Sequence, residues 1–291
     1  MNGPGLDIRK TYKLYVGGNF IRSESGRYLS AQSADGQTLD NYCHASRKDL
    51  RDAVVAARGA VDGWTKKSAY LRGQILYRAA EMLQNRAAEL AREIARSSGQ
   101  SQSRAKKEVV ASIDRLVYFA GWTDKYSQVF GSVNPVATSH FNFTVPEPTG
   151  VVGILTPDKP VLLPLITLLA PVITTGNAAV ILASEKFPLA ALTFAEILAT
   201  SDLPGGVVNI LSGKRHELAS HFAGHMDVNA VVDGTGLPEI AAVLRGGSAH
   251  NLKRYCDHSL AGADWFSGRG EDPYWLIDTV EFKTAWHPIG V

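Results

Sequence analysis

The thiol and imidazole side chains are the groups in this chain best suited to covalent or metal chemistry, and both are sparse. Cys43 and Cys256 are the only cysteines among 291 residues, and neither sits in a CxxC pair or at a Cys/His ligand spacing. A disulfide scaffold and a structural zinc site are therefore not expected. His216, His221 and His225 lie close together, with His221 and His225 one helical turn apart. No carboxylate completes an obvious ligand set with them, so they read as three unrelated histidines and no metal ligand is assigned. No G-x-S-x-G elbow, P-loop or G-x-G-x-x-G dinucleotide fingerprint is present.

Bulk composition narrows the partners. A net charge of +2, with 45% hydrophobic and 20% charged residues, is ordinary globular composition, and no basic stripe points to nucleic acid. The N-terminal stretch MNGPGLDIRKTYKLYV lacks the apolar core of a signal peptide. The longest apolar run, Val161 to Ile173, is interrupted by Pro164, Thr167 and Pro171. Neither secretion nor membrane spanning is expected, and a reducing cytoplasm fits the cysteine usage.

The elements that would position a site change character along the chain. Lys13–Arg22 and Arg27–Ala31 flank a Ser23–Gly26 turn and read as a hairpin. Ser46 and Asp49 form a capping-box-like start for a helix with Leu50, Val54, Ala57, Val61 and Trp64 on one face. A second helix is predicted from Tyr70 past Ile94 to a stop at Ser97-Ser98-Gly99, and a third over Lys106–Tyr118. From Gly150 the spacing changes. Val151–Leu155, Ala178–Leu182, Val207–Leu211 and Asn229–Val232 read as buried strands. Helices are predicted near Val161–Thr174, Pro188–Thr200, Arg215–Ala223 and Leu237–Leu244, and a further strand at Lys253–Asp257. This βα alternation predicts an α/β fold with a Rossmann-like parallel sheet and ligands at the carboxyl ends of its strands. The loops after Leu155, Leu182 and Val232 are the places to look.

Several stretches resemble the aldehyde dehydrogenase superfamily, in order and at family spacing. They are Glu147-Pro148-Thr149-Gly150-Val151-Val152-Gly153-Ile154, then Gly176-Asn177-Ala178-Ala179-Val180 with Ser184-Glu185 and Pro188-Leu189, then Leu203-Pro204-Gly205-Gly206-Val207-Val208-Asn209-Ile210 with Gly213. His225-Met226-Asp227 and Asn251-Leu252-Lys253 follow, and Tyr15-Val16-Gly17-Gly18 matches near the N-terminus. The resemblance implies the family's NAD- or NADP-binding fold and, in an intact member, oxidation of aldehydes.

The residues that carry the family's chemistry depart from its pattern. Where the family has Pro-Trp-Asn-Phe-Pro, whose Asn amide serves the oxyanion hole, this chain reads Pro157-Asp158-Lys159-Pro160-Val161. Lys159 cannot reproduce a fixed amide donor. The family's ribose-holding Lys-Pro-Ser-Glu is reduced to Leu182-Ala183-Ser184-Glu185, which keeps Glu185 and loses the lysine. Asp233-Gly234-Thr235-Gly236-Leu237-Pro238 stands where the family places its pyrophosphate turn. Gly234 and Gly236 could shape such a turn, but Asp233 brings negative charge toward a diphosphate. Glu185, Gly234 and Gly236 are the candidate cofactor contacts; no cofactor is the expectation, with NAD or NADP as the alternative. His258 falls at the position of the family's general base, with nothing to activate. Cys256 reads as an inert buried residue in a strand, so no catalytic residue is assigned.

The last segment changes the reading. Leu276–Trp286 puts Leu276, Val280, Phe282 and Trp286 on one face of a strand and resembles the family's C-terminal oligomerisation strand. The implied division is a hairpin and helical part over 1–135, an oligomerisation hairpin over 136–149, a Rossmann-like domain over 150–265 and the oligomerisation strand over 266–291, with the catalytic domain absent. In the family this strand and the hairpin near His140–Val145 extend a neighbouring subunit's sheet, and Val280, Phe282 and Trp286 are the candidate contacts. The expected function is a non-catalytic structural or regulatory partner of a full-length aldehyde dehydrogenase. Self-association through the strand, an NAD(P)-dependent oxidoreductase and a stand-alone nucleotide-binding module are the alternatives.

Overall fold

The computed structural model describes residues 9–290, so the first eight residues of the stretch read for a leader lie outside the described residues. The N-terminal part supplies strands β1 (Thr11–Tyr12), β2 (Leu14–Val16), β3 (Asn19–Ile21), β4 (Tyr28–Gln32) and β5 (Thr38–Cys43). Helices α1 (Arg47–Thr65), α2 (Ala69–Asn85), α3 (Ala87–Ser98), α4 (Gln102–Ala120) and α5 (Tyr126–Phe130) follow. Strands β6 (Ser132–Asn134) and β7 (His140–Pro148) lead into the alternating region: β8 (Val151–Leu155), α6 (Leu163–Thr174), β9 (Ala178–Leu182), α7 (Leu189–Leu198), β10 (Val208–Leu211), α8 (Arg215–Gly224), β11 (Ala230–Asp233), α9 (Pro238–Ala249) and β12 (Arg254–Asp257). Three 3-10 helices, Gly262–Phe266, Gly268–Glu271 and Pro273–Thr279, precede the last strand, β13 (Val280–Pro288).

The reciprocal Ser46–Asp49 box starts α1 as the sequence predicts, and Asp49 also accepts from Ser23 Oγ at 2.6 Å and Glu24 N at 3.1 Å. The cap therefore holds the 23–26 turn as well as the helix. That turn forms, but it is not the hairpin expected. Gly17 and Gly18, at φ +62° and +82°, close β2 onto β3, and β4 pairs with β5 across the 33–37 turn. Two consecutive left-handed glycines make the tight return that a single Lys13–Arg22 strand cannot. The long helix expected from Tyr70 also breaks, at Arg86, which leaves the helical region (φ −104°, ψ 13°) while its guanidinium bridges Glu89 and Glu196. The apolar period continues across this break, so spacing alone does not reveal it.

Strands β12, β11, β8, β9 and β10 run parallel, and β2–β3 add to the β10 edge in antiparallel fashion, giving the order β12-β11-β8-β9-β10-β2-β3. Both sheet faces are covered, which is why the central strands read as unbroken apolar runs. Val152 and Ile154 face α4, α6 and α7, whereas Val151 and Leu155 face α1 and α8. Trp64, fully buried at the end of α1, donates its indole N–H to the Ile173 carbonyl at 2.9 Å and ties one helical layer to the other just before the start of β9.

A separate three-stranded antiparallel sheet has the order β13-β7-β6. Its longest ladder runs from Val280 opposite Pro148 to Pro288 opposite His140. Leu276 lies outside that strand, contrary to expectation. Asp272 caps a 3-10 turn by accepting from Tyr274 N at 2.9 Å, and the turn drives Trp275 and Leu276 into the core. No helix among the described residues is long and apolar enough to cross a membrane.

Candidate functional site

The direction in which the βα units are added reverses at β8, with β9 to one side and β11 to the other. In an open α/β sheet that reversal places a crevice beyond the strand ends. Here its walls are the loops after β8, β10, β11 and β12. A cavity of about 480 Å³ lies there, lined by Asp158, Lys159, Arg215, Thr235, Gly236 and Leu260 among others.

Arg215 opens α8 and reaches across the crevice. Its guanidinium donates to Asp158 Oδ1 at 2.7 Å and Oδ2 at 3.1 Å, and to the Thr156 carbonyl at 2.8 Å. Ser184 Oγ and Lys186 N donate to the same Asp158 carboxylate. Burial alone would raise the Asp158 pKa; the Arg215 hydrogen bonds and charge outweigh it and hold the carboxyl below its ordinary value. One ion pair thus fastens the loops after β8, β9 and β10 together. Glu185 is taken in the same way: Lys214 Nζ donates to it at 3.0 Å and Arg215 N at 2.9 Å. Those contacts overcome the burial that would raise its pKa. Glu185, the candidate ribose contact, is also the N-terminal partner of α8.

The turn after β11 is equally self-sufficient. Asp233 Oδ1 accepts from Thr235 N at 2.9 Å and Thr235 Oγ1 at 2.6 Å, and Oδ2 accepts from the Tyr255 hydroxyl at 3.0 Å. The amide a phosphate oxygen would take is occupied by a carboxylate. Pro238 brings no N–H to the first turn of α9 and Glu239 adds a negative charge there. Gly236, at φ +65°, does form the turn and lines the crevice. At Gly234 a Cβ would stand 2.5 Å from Leu168 Cδ1, so the turn packs closely on α6. Glu185, Asp233 and the Thr235 amide, which would meet a dinucleotide here, are engaged by groups of their own chain.

The start of α6 beside the crevice is closed too. Glu108, buried on α4, accepts from Leu162 N at 2.6 Å and Leu163 N at 3.2 Å. Lys159, in the place of the family's asparagine, directs its ammonium to the Ser98 carbonyl at 3.3 Å, at the C-terminal end of α3. The side chain borders both the crevice and a neighbouring cavity of about 520 Å³ lined by Arg104, Lys107, Val161 and Phe266.

His258 stacks on Trp275 with ring centroids 4.1 Å apart and places Nε2 3.0 Å from Asp278 Oδ2. Cys256 is half-buried rather than buried because β12 is an edge strand, covered on one side by the Pro273–Thr279 turn. Burial and then the Asp278 charge push its thiol up to about 12. Iodoacetamide at roughly pH 8 is expected to leave Cys256 unmodified in the folded protein and to alkylate it after urea unfolding, read by peptide mass. Labelling of folded protein at the unfolded rate contradicts this placement. His221 and His225 border a small cavity with Arg47 and Arg51, cations that oppose a metal ion.

The third sheet carries the three predicted contact residues on β13, and two of them are exposed. Val280 is buried, whereas Phe282 and Trp286 are 47% and 59% exposed on β13, an edge strand. Asn177, fully buried, holds this sheet to the main one: it accepts from Gly150 N at 2.8 Å and donates to the Thr279 carbonyl at 2.8 Å. The contacts of Arg215, Glu108 and Asn177 escaped the sequence reading because their partners are remote in the chain.

A family model described as the aldehyde dehydrogenase family matches residues 20–256. The cytosolic 10-formyltetrahydrofolate dehydrogenase of Mus musculus is 32% identical over 255 residues, which cover 86% of this chain and 28% of that protein. Omega-crystallin of Enteroctopus dofleini is 30% identical over 258 residues, covering 87% of this chain and 51% of its own. A solved aldehyde dehydrogenase from Bacillus cereus in complex with NAD+ superposes with a TM-score of 0.82 at 26% identity, over 86% of this chain and 51% of that one. This chain spans about half the length, or less, of the relatives it matches.

Proposed function

Because this chain belongs to the aldehyde dehydrogenase family, we propose that it is a non-catalytic partner that docks on a full-length aldehyde dehydrogenase through the β6-β7-β13 sheet. The observation that carries the reading is the exposed edge strand β13, which displays Phe282 and Trp286 to solvent. An apolar edge of this kind invites strand addition and is a hazard if left open. Between β12 and β13 the described residues hold only three 3-10 helices, so this chain brings no second sheet there for a copy of itself to join. A full-length relative would bring one.

The closed crevice supports the non-catalytic half of the reading. Glu185, Asp158 and Asp233 each satisfy groups of their own chain, which weighs against nucleotide binding and against aldehyde oxidation by this chain alone. A reducing cytoplasm suits two cysteines with no disulfide.

The test is co-expression with a full-length aldehyde dehydrogenase encoded in the same genome, followed by native mass spectrometry. A mixed assembly is expected, and Phe282→Asp with Trp286→Asp should weaken it by roughly 30-fold or more, the scale of a central aromatic anchor. A stable monomer or homodimer that ignores the relative sinks the proposal. Millimolar NAD or NADP is expected to leave the melting temperature of this chain unchanged; a clear upward shift favours the nucleotide-binding alternative.

A further inference from the structure

We propose that Cys256, His258 and Asp278 form a binding site for one zinc-class divalent cation, at the joint between β12 and the docking strand. The ligand atoms of the three residues all lie within 4.8 Å of one another, and His258 Nε2 is already 3.0 Å from Asp278 Oδ2. Around tetrahedral zinc, bonds of about 2.0–2.3 Å put ligand atoms roughly 3.3–3.8 Å apart. Closing the set therefore asks for a contraction of about 1 Å, within the reach of side-chain rotation.

The local structure explains why these three converge. Extended backbone continues past the end of β12, since His258 N donates to the Asp233 carbonyl at 2.9 Å. Residues two apart on an extended chain project to the same side, so Cys256 and His258 face the Pro273–Thr279 turn together. That turn ends by presenting Asp278, whose backbone carbonyl is 3.7 Å from Cys256 Sγ. The Trp275 ring, stacked against His258, fixes the imidazole plane. Thiolate, imidazole and carboxylate make a mixed S/N/O set suited to zinc, cobalt or iron(II) and foreign to magnesium or calcium. Three protein ligands leave a fourth position for water.

Charge favours a cation here. The Asp278 carboxylate offsets part of a divalent ion's charge, and the ion displaces the Cys256 thiol proton to solvent as the thiolate–metal bond forms. Arg254, the cation next to this group, already donates to the Val280 carbonyl and Glu281. Asp278 is 39% exposed and gives the ion a way in. Because Asp278 lies two residues before β13, the metal would fasten the docking strand to the edge of the main sheet.

Cobalt(II) titration of chelator-treated full-length chain tests the site. Expected is a 1:1 end point with a near-ultraviolet thiolate-to-cobalt band and visible tetrahedral bands, both removed by zinc. Cys256→Ser should lose the near-ultraviolet band, and His258→Ala should lose the tetrahedral bands, while Cys43→Ser and His221→Ala keep the full spectrum. Circular dichroism confirms that each variant is folded, and Cys256→Ser is conservative enough to keep the test open if His258→Ala is not. Absence of a thiolate band in the unsubstituted protein, its survival in Cys256→Ser, or its loss in Cys43→Ser overturns the proposal.

Discussion

Asp158→Asn is expected to destabilise the protein by roughly 3 kcal/mol at neutral pH, the scale for removing one partner of a buried ion pair. The Arg215 side chain is only 5% exposed and takes two of its bonds from the Asp158 carboxylate. The amide leaves a buried guanidinium without a counter-charge, and it breaks the clamp on the loops after β8, β9 and β10. Urea unfolding measures the loss, and a drop below about 1 kcal/mol would show that the pair is solvated rather than structural. Arg215→Met added to Asp158→Asn should restore part of the stability, because the orphan charge then goes as well. The pH dependence has a definite sign. A carboxyl whose pKa is depressed in the folded state stabilises above its unfolded value and loses that contribution as pH falls through the folded one. The gap between wild type and Asp158→Asn should therefore be full above about pH 5 and shrink below about pH 4. A gap that widens in acid would contradict the assignment.

Asn177→Ala carries the second large effect, about 2 kcal/mol. The substitution strands the buried Gly150 amide, at ~1–3 kcal/mol for an unsatisfied group, and opens a small void, while the Thr279 carbonyl loses one donor and keeps Thr149 N and Oγ1. The consequence for assembly exceeds the consequence for the crevice. Asn177 shares with Thr149 the fastening of the base of β13 to the start of β8 and β9, so its loss loosens the β6-β7-β13 sheet while the Arg215–Asp158 pair stays intact. Hydrogen exchange should accelerate in β13 and β7 more than in β8 or β9, and association with a full-length relative should weaken in step. Uniform acceleration across both sheets would mean that Asn177 supports the core generally and has no special tie to the docking strand.

Much of the main sheet was legible because its chemistry is local. Ala178–Leu182 and Val151–Leu155 are apolar on both faces, a pattern that a parallel sheet between two helical layers requires, and the structure gives both strands the predicted bounds. Ser46 and Asp49 announce α1 for a similar reason, since a cap is made within four residues. The candidate site was less legible. Glu185 was identified as a retained acid, but its engagement by Lys214 and Arg215 depends on how the β10–α8 loop folds back. Asp278 could not be joined to Cys256 and His258 by spacing, since a 3-10 turn, whose Leu276–Thr279 part reads in the sequence as the start of the strand, brings it there. Charged loop residues look like solvated surface until a long-range partner is known.

The β7–β13 ladder also sets a schedule. Ribosomes make β7 first, and its partner emerges only after roughly 130 further residues, on the order of ten seconds later at typical elongation rates. The strands of the main sheet, all of them made before β13, can pair during that interval. The nascent chain therefore passes through a stage with its nucleotide-type sheet formed and the outer edge of β7 still open, which is the stage at which a chaperone or a waiting subunit would meet it.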